Sequence, residues 1–239
     1  MVSPGNVPAI VVVGRNDKTK RSDVIMQVAE RLHNQGHAVY WFESPRAEAS
    51  RQINASIARV WPRLAAAPST LALPLRILRF TVKTALALLN RNRRDFLQAA
   101  IVSRPVMAAR ELGRFLDKLP CQAAFLITHS AGGIAATQTS SNAKVDRIIC
   151  FGYPFQHPDR PPETYRTAHL SSVDKPLLIV QGKGDPYGHD PARFGVLLPA
   201  DTRITMLDCD HDYSSLAAAE FGRVWAAVSE FAGLATRLA

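Results

Sequence analysis

The chain predicts an α/β fold, a mostly parallel sheet of about six strands with helices on both faces. Three observations carry this. Six short apolar runs recur along the chain, helical periods separate them, and the runs are continuous rather than alternating, as strands covered on both faces require. Hydrophobic residues make up 47% of 239 residues, enough for a large core, so a disordered chain is excluded.

PAIVVVG (8–14), rich in β-branched residues, is the first strand. A helix follows from about Ser22, with Asp23 in its first turn and Val24, Ile25, Val28, Ala29 and Leu32 on one face; Gly36 stops it. HAVYWFES (37–44) is the second strand. AAFLIT (123–128), VDRIICFG (145–152), KPLLIVQG (175–182) and TRITMLD (202–208) complete the set. The intervening patterns place helices at 131–141, 190–197 and 213–236.

Between Glu43 and Cys121 no strand is evident, only helical stretches broken at Pro62, Pro68, Pro74 and Pro105. A crossover between parallel strands needs a dozen or so residues. The chain therefore reads as a single domain, 1–239, with a helical insertion over 46–118 between the second and third strands. Within it LRILRFTVKTALALLN (75–90) begins after Pro74, a favourable first-turn residue. Leu75, Leu78, Val82, Leu86 and Leu89 form its wide apolar face; Arg76, Arg79, Lys83 and Asn90 share a narrow polar one. Three charges within this stretch make it a poor membrane span.

The net charge of +9 is local. Arg46 to Arg94 holds ten basic residues and one acid, Glu48, which accounts for all of it. The remainder is neutral, so no nucleic-acid partner is expected. The first residues, MVSPGNVPAIVVVGRND, lack a basic start and a long apolar run. Cys121, Cys150 and Cys209 are odd in number, widely spaced and without a C-x-x-C pattern. A reduced, cytoplasmic protein is expected, with peripheral membrane association as an option for the basic helix.

In a parallel sheet the ligand site lies beyond the carboxyl ends of the strands. That selects the loops Arg15–Arg21, His129–Gly133, Gly152–His157, Gly182–His189 and Cys209–Asp212. In LITHSAGG, Ser130 stands where a strand meets a helix, as in the G-x-S-x-G nucleophile turn, although Thr128 replaces the first glycine. The plainer reading is a helix N-terminus whose serine bonds backbone groups. Asp185 in VQGKGDPYG and His211 in LDCDHDY each directly follow a strand, in the order Ser, Asp, His. The chemistry needs all three: serine is a weak nucleophile until an imidazole takes its proton, and a carboxylate fixes the imidazole's tautomer.

THSAGG, FGYPFQHPDRPPETYRTAHL, KPLLIVQGKGDPYG and LDCDHDYS together resemble the small α/β-hydrolases related to dienelactone hydrolases, and more closely the group typified by testis-expressed protein 30 and its bacterial relatives. The resemblance covers roughly residues 8–45 and 121–235 and leaves the basic insertion outside. It implies an α/β-hydrolase fold and a serine hydrolase of an ester or thioester, with Ser130 as nucleophile, Asp185 as acid and His211 as base, and with no cofactor. Where relatives carry H-G-A-G this chain reads Val13-Gly14-Arg15-Asn16. One oxyanion donor is then the amide of Ala131; the second falls to the amide of Arg15 or Asn16. Thr128 and the altered H-G-A-G leave a second reading, a catalytically weak or inactive binding or scaffold protein.

Other residues carry weaker readings. Lys18, His129, Tyr153 and His189 are substrate-contact candidates, with His189 also an alternative base, although a histidine placed like His129 is more often packed against the core. Asp190 is an alternative acid or a helix cap, and Asp210 and Asp212 flank the base. DCDHD offers a single histidine, so no metal site is expected. Cys150 and Cys209 read as small buried residues. Arg15, Lys18, Lys20 and Arg21 suit either a solvated loop or an anionic substrate portion. Helix 75–90 suits a lid, an anionic membrane surface or a partner protein.

Overall fold

The computed structural model describes residues 7–14, 22–62, 73–90, 104–214 and 216–234, without the side chains of 73, 75, 76, 104 and 105. The chain divides into two units: one contains residues up to Phe42 and from Ala108 onward, the other Glu43–Met107.

In the first unit six parallel strands form one sheet in the order β2-β1-β3-β4-β5-β6. They are β1 (Ala9–Val13), β2 (Val39–Phe42), β3 (Ala124–His129), β4 (Val145–Phe151), β5 (Leu177–Gly182) and β6 (Arg203–Leu207). The β1, β3 and β5 runs are buried at every residue, which is why they read as continuous apolar runs. Alternate residues supply two cores. Ile10, Val12, Phe125 and Ile127 face α1 (Asp23–Asn34) and α7 (Ala218–Phe231). Val11, Val13 and Leu126 face Leu112 and Leu116 of α4 (Arg104–Lys118), Ile134 of α5 (Ala131–Thr137) and Phe194 of α6 (Pro191–Gly195). The strand order reverses at β1, so the crevice beyond β1 and β3 is the place for a ligand.

The second unit pairs α2 (Pro45–Val60) with α3 (Leu73–Leu88). Ser44 caps α2, its Oγ accepting from the Ala47 amide at 3.3 Å, and Pro45 opens the first turn. Ile53 and Ile57 pack with Ala87, Val82 and Leu86.

Three expectations need correction. The insertion was expected over 46–118, whereas Leu112, Leu116 and Leu119 join the sheet's core, so most of α4 groups with the first unit. The last helix starts at Ala218 rather than 213, because Tyr213 sits at φ 57° and Asp210 holds the Ser214 amide in a turn. In α3 the expected apolar face divides: Val82 and Leu86 turn toward α2, while Leu78 and Leu89 are exposed. Its apolar arc is wider than one neighbouring helix can cover.

One contact sets how closely the helix after β3 approaches β1. A Cβ built on Gly132 would lie 2.1 Å from the Val13 carbonyl oxygen. Gly132→Ala should therefore lower stability by about 1–3 kcal/mol or more, as overpacking does. Gly222→Ala, where the added Cβ meets nothing within 4 Å, should be neutral or stabilising by up to about 1 kcal/mol. Urea unfolding of the two variants checks this; equal shifts in both would show that the approach to β1 is not limiting.

Candidate active site

β3 ends at His129 and α5 begins at Ala131, so Ser130 makes the whole turn between them. It does so at φ 53° and ψ −126°, a conformation rare for a side-chain-bearing residue. Two hydrogen bonds hold it: the Ser130 amide donates to the Phe151 carbonyl at 3.0 Å, and the Gly133 amide donates to the Ser130 carbonyl at 2.9 Å. Thr128, the departure from the glycine pattern, lies inside β3 between Val13 and Cys150 on the neighbouring strands. The turn therefore accommodates threonine there. Beside it, burial pushes the Cys150 thiol up to about 12, so this cysteine is an inert packing group.

Ser130, Asp185 and His211 come together. The Oγ of Ser130 is 2.8 Å from Nε2 of His211, and Nδ1 of His211 is 2.8 Å from Oδ2 of Asp185. A carboxylate can only accept, so Nδ1 carries the proton and Nε2 is left to accept from the serine hydroxyl. All three residues are buried.

Asp185 is held from three sides. It accepts from His211, from Gln181 Nε2 at 2.7 Å and, through Oδ1, from the Tyr187 amide at 2.8 Å. Gln181 is oriented in turn by the Tyr153 amide, which donates to its Oε1 at 2.9 Å.

The loop bearing His211 is tied to the one bearing Asp185. The Lys183 amide donates to the Leu207 carbonyl at 2.8 Å and the Gly184 amide to the Cys209 carbonyl at 3.1 Å. Two further contacts bind the His211 loop to the sheet. Nε2 of His129 lies 3.0 Å from the His211 carbonyl and donates to it, and the Tyr213 hydroxyl donates to the Val180 carbonyl at 2.6 Å. The Tyr187 ring lies against the imidazole, with centroids 4.5 Å apart.

Other candidates have different places. Tyr153 is fully buried, its hydroxyl donating to the Arg166 carbonyl at 2.6 Å and its ring lying under Gly133. Burial raises its phenol well above the ordinary value. It serves as a framework residue in this arrangement. His129 is likewise buried and acts on the His211 backbone. His189 is exposed and bonds the Asp185 carbonyl within its own loop, 3.3 Å away. Asp190 caps α6 by accepting from the Ala192 and Arg193 amides. Ala131 is exposed at the first position of α5. Arg15, Asn16 and Lys18 lie outside the described residues.

Among the described residues, His129, His211 and Asp212 bring ligand atoms within 4.8 Å of one another. Both ring nitrogens of His211 are engaged by Asp185 and Ser130, so a metal bound there would have to break that relay. Gln181, Tyr187 and Tyr213 escaped sequence reasoning. Their only signal was proximity to the acid and the base.

A family described as Alpha/beta hydrolase domain matches residues 105–229, just over half of the chain. Among the curated proteins none matches the chain. Among solved structures, the chain is similar to the esterase domain of a Rhodothermus marinus protein, at 15% identity and a TM-score of 0.55, covering 97% of this chain and 88% of that one. It is also similar to a carboxylesterase from Bacillus subtilis, at 11% identity and a TM-score of 0.55, covering 95% and 84%. A thioesterase domain from the curacin biosynthetic pathway aligns at 12% identity and a TM-score of 0.54, covering 96% and 92%. At such identities these likenesses bear on the fold alone. The chain belongs to the alpha/beta hydrolase domain family.

Proposed function

We propose that the protein is a serine hydrolase that cleaves an ester or thioester through an acyl-enzyme. The observation that supports this is the unbroken relay from Asp185 through His211 to a serine on a strained strand-to-helix turn. His211 Nε2 takes the proton from Ser130 Oγ as the oxygen attacks the substrate carbonyl. The Ala131 amide, first in α5, donates to the resulting oxyanion, where one such donor is worth about 10²–10³ in rate. The tetrahedral adduct collapses, and the leaving alcohol or thiol carries away the proton from His211. Water then enters, gives a proton to His211 and attacks the acyl carbon; the acid departs and Ser130 recovers its proton. Peptide hydrolysis would use the same steps.

Arg15 and Lys18 follow β1, the strand beside the nucleophile-bearing β3, and we assign them to an anionic portion of the substrate. The second oxyanion donor in this reading is the amide of Arg15 or Asn16.

A fluorophosphonate probe should label the wild type and not Ser130→Ala; a well-folded wild type that resists labelling would favour a scaffold role. Asp185→Asn should keep the fold yet lower kcat by about 10⁴, as loss of the correct imidazole tautomer does. A loss under tenfold, measured on any ester that is turned over, would remove Asp185 from the relay. Replacing Arg15 and Lys18 with alanine should raise KM for anionic esters selectively, and equal effects on neutral esters would count against an anionic substrate.

A further inference from the structure

The second unit carries an exposed apolar surface. On α3, Ile77, Leu78, Phe80 and Leu88 are 57%, 46%, 60% and 59% exposed, and Leu89 just beyond the helix is 84% exposed. At the helical repeat these residues share one arc with Ala85, Thr81 and Thr84, and no charged residue falls within it. The Thr81 hydroxyl donates to the Ile77 carbonyl at 3.0 Å, so it asks little of water. The opposite arc holds Val82, Leu86 and Ala87 against α2, with Arg79 and Lys83 half-buried beside them. The helix thus turns an apolar face outward, where monomeric proteins rarely keep a contiguous one.

Charge indicates what covers it. Glu43–Met107 holds eleven Lys or Arg against three Asp or Glu, a net +8. Glu43 and Glu48, two of the three acids, both pair with Arg51. Arg91, Arg93 and Arg94 follow α3 directly. A second copy would bring +8 against +8, and a nucleic acid would find no charge on the exposed arc. An anionic bilayer surface satisfies both features: acyl chains receive the arc, and headgroups attract the basic flanks. Trp61, 53% exposed at the end of α2, is a residue type suited to the headgroup level. At sixteen residues, α3 is about 24 Å long, too short to span, and among the described residues no helix is long and apolar enough to cross a membrane.

We propose that α3 docks this protein onto anionic membrane surfaces, lying in the interface with Phe80, Ile77 and Leu88 inserted. The test is flotation of the full chain with phosphatidylcholine vesicles, with and without phosphatidylserine, at low and physiological ionic strength. The wild type should float with phosphatidylserine vesicles, and less so as salt rises. The double variant Phe80→Glu/Leu88→Glu, with an unchanged melting temperature, should partition about tenfold more weakly or worse. If that variant misfolds, Leu89→Glu, outside the helix, replaces it. Failure of the wild type to float with phosphatidylserine vesicles at low salt would overturn the proposal, as would equal flotation of folded variant and wild type. A dimer in solution that the substitutions split, without flotation, would assign the face to a second copy instead.

Discussion

Holding an L-serine at φ 53° costs of order 1–3 kcal/mol, and such strain persists only where the surroundings over-determine it. Much of the first unit serves that end. β4 accepts the Ser130 amide, the Gly133 amide closes the turn from the other side, and Gly132 lets α5 come against the β1 carbonyl. Gly133 rests on the Tyr153 ring, which is pinned by its own hydroxyl to the Arg166 carbonyl. Arg166 is fixed in turn by Glu163 and the Pro154 carbonyl. The side chain that emerges from this turn has its Oγ at hydrogen-bond distance from an imidazole whose own direction is set elsewhere.

That direction comes from the acid. Asp185 accepts from His211, Gln181 and the Tyr187 amide, so both oxygens of the buried carboxylate are partnered within the protein. The imidazole cannot swing away without breaking its bond to Asp185 and leaving the Tyr187 ring, while the His129 bond to the His211 carbonyl holds the backbone beneath it. Residues outside the relay of Ser130, His211 and Asp185 thus decide its geometry, the kind of preorganisation that the proposed chemistry would need.

The strands and the three relay residues were legible because their signals are local. A strand covered on both faces is apolar throughout, and a group at a strand's carboxyl end declares its place by sequence position alone. Thr128 read as a defect because the glycine pattern speaks of crowding, and the actual crowding occurs at Gly132 and Gly133. Tyr153 follows a strand, but its burial was not legible: Gly152 at φ 57° turns the chain and the ring lies inside. The late start of α7 depended on a left-handed Tyr213, which no propensity announces. The division of α3 into covered and open arcs was illegible for another reason. Periodicity reports how wide an apolar face is, and only the neighbouring helix reveals how much of it is used.

The bonds that hold the His211 loop reach two strands distant in the chain, β3 through His129 and β5 through Tyr213. The relay joins residues 26 and 81 positions apart. Such long closures are completed only as the sheet finds its register from β3 to β6, which is slow relative to local helix formation. The hydrogen-bonded geometry around Ser130 is therefore complete only once His211, which follows β6, has been brought against Asp185.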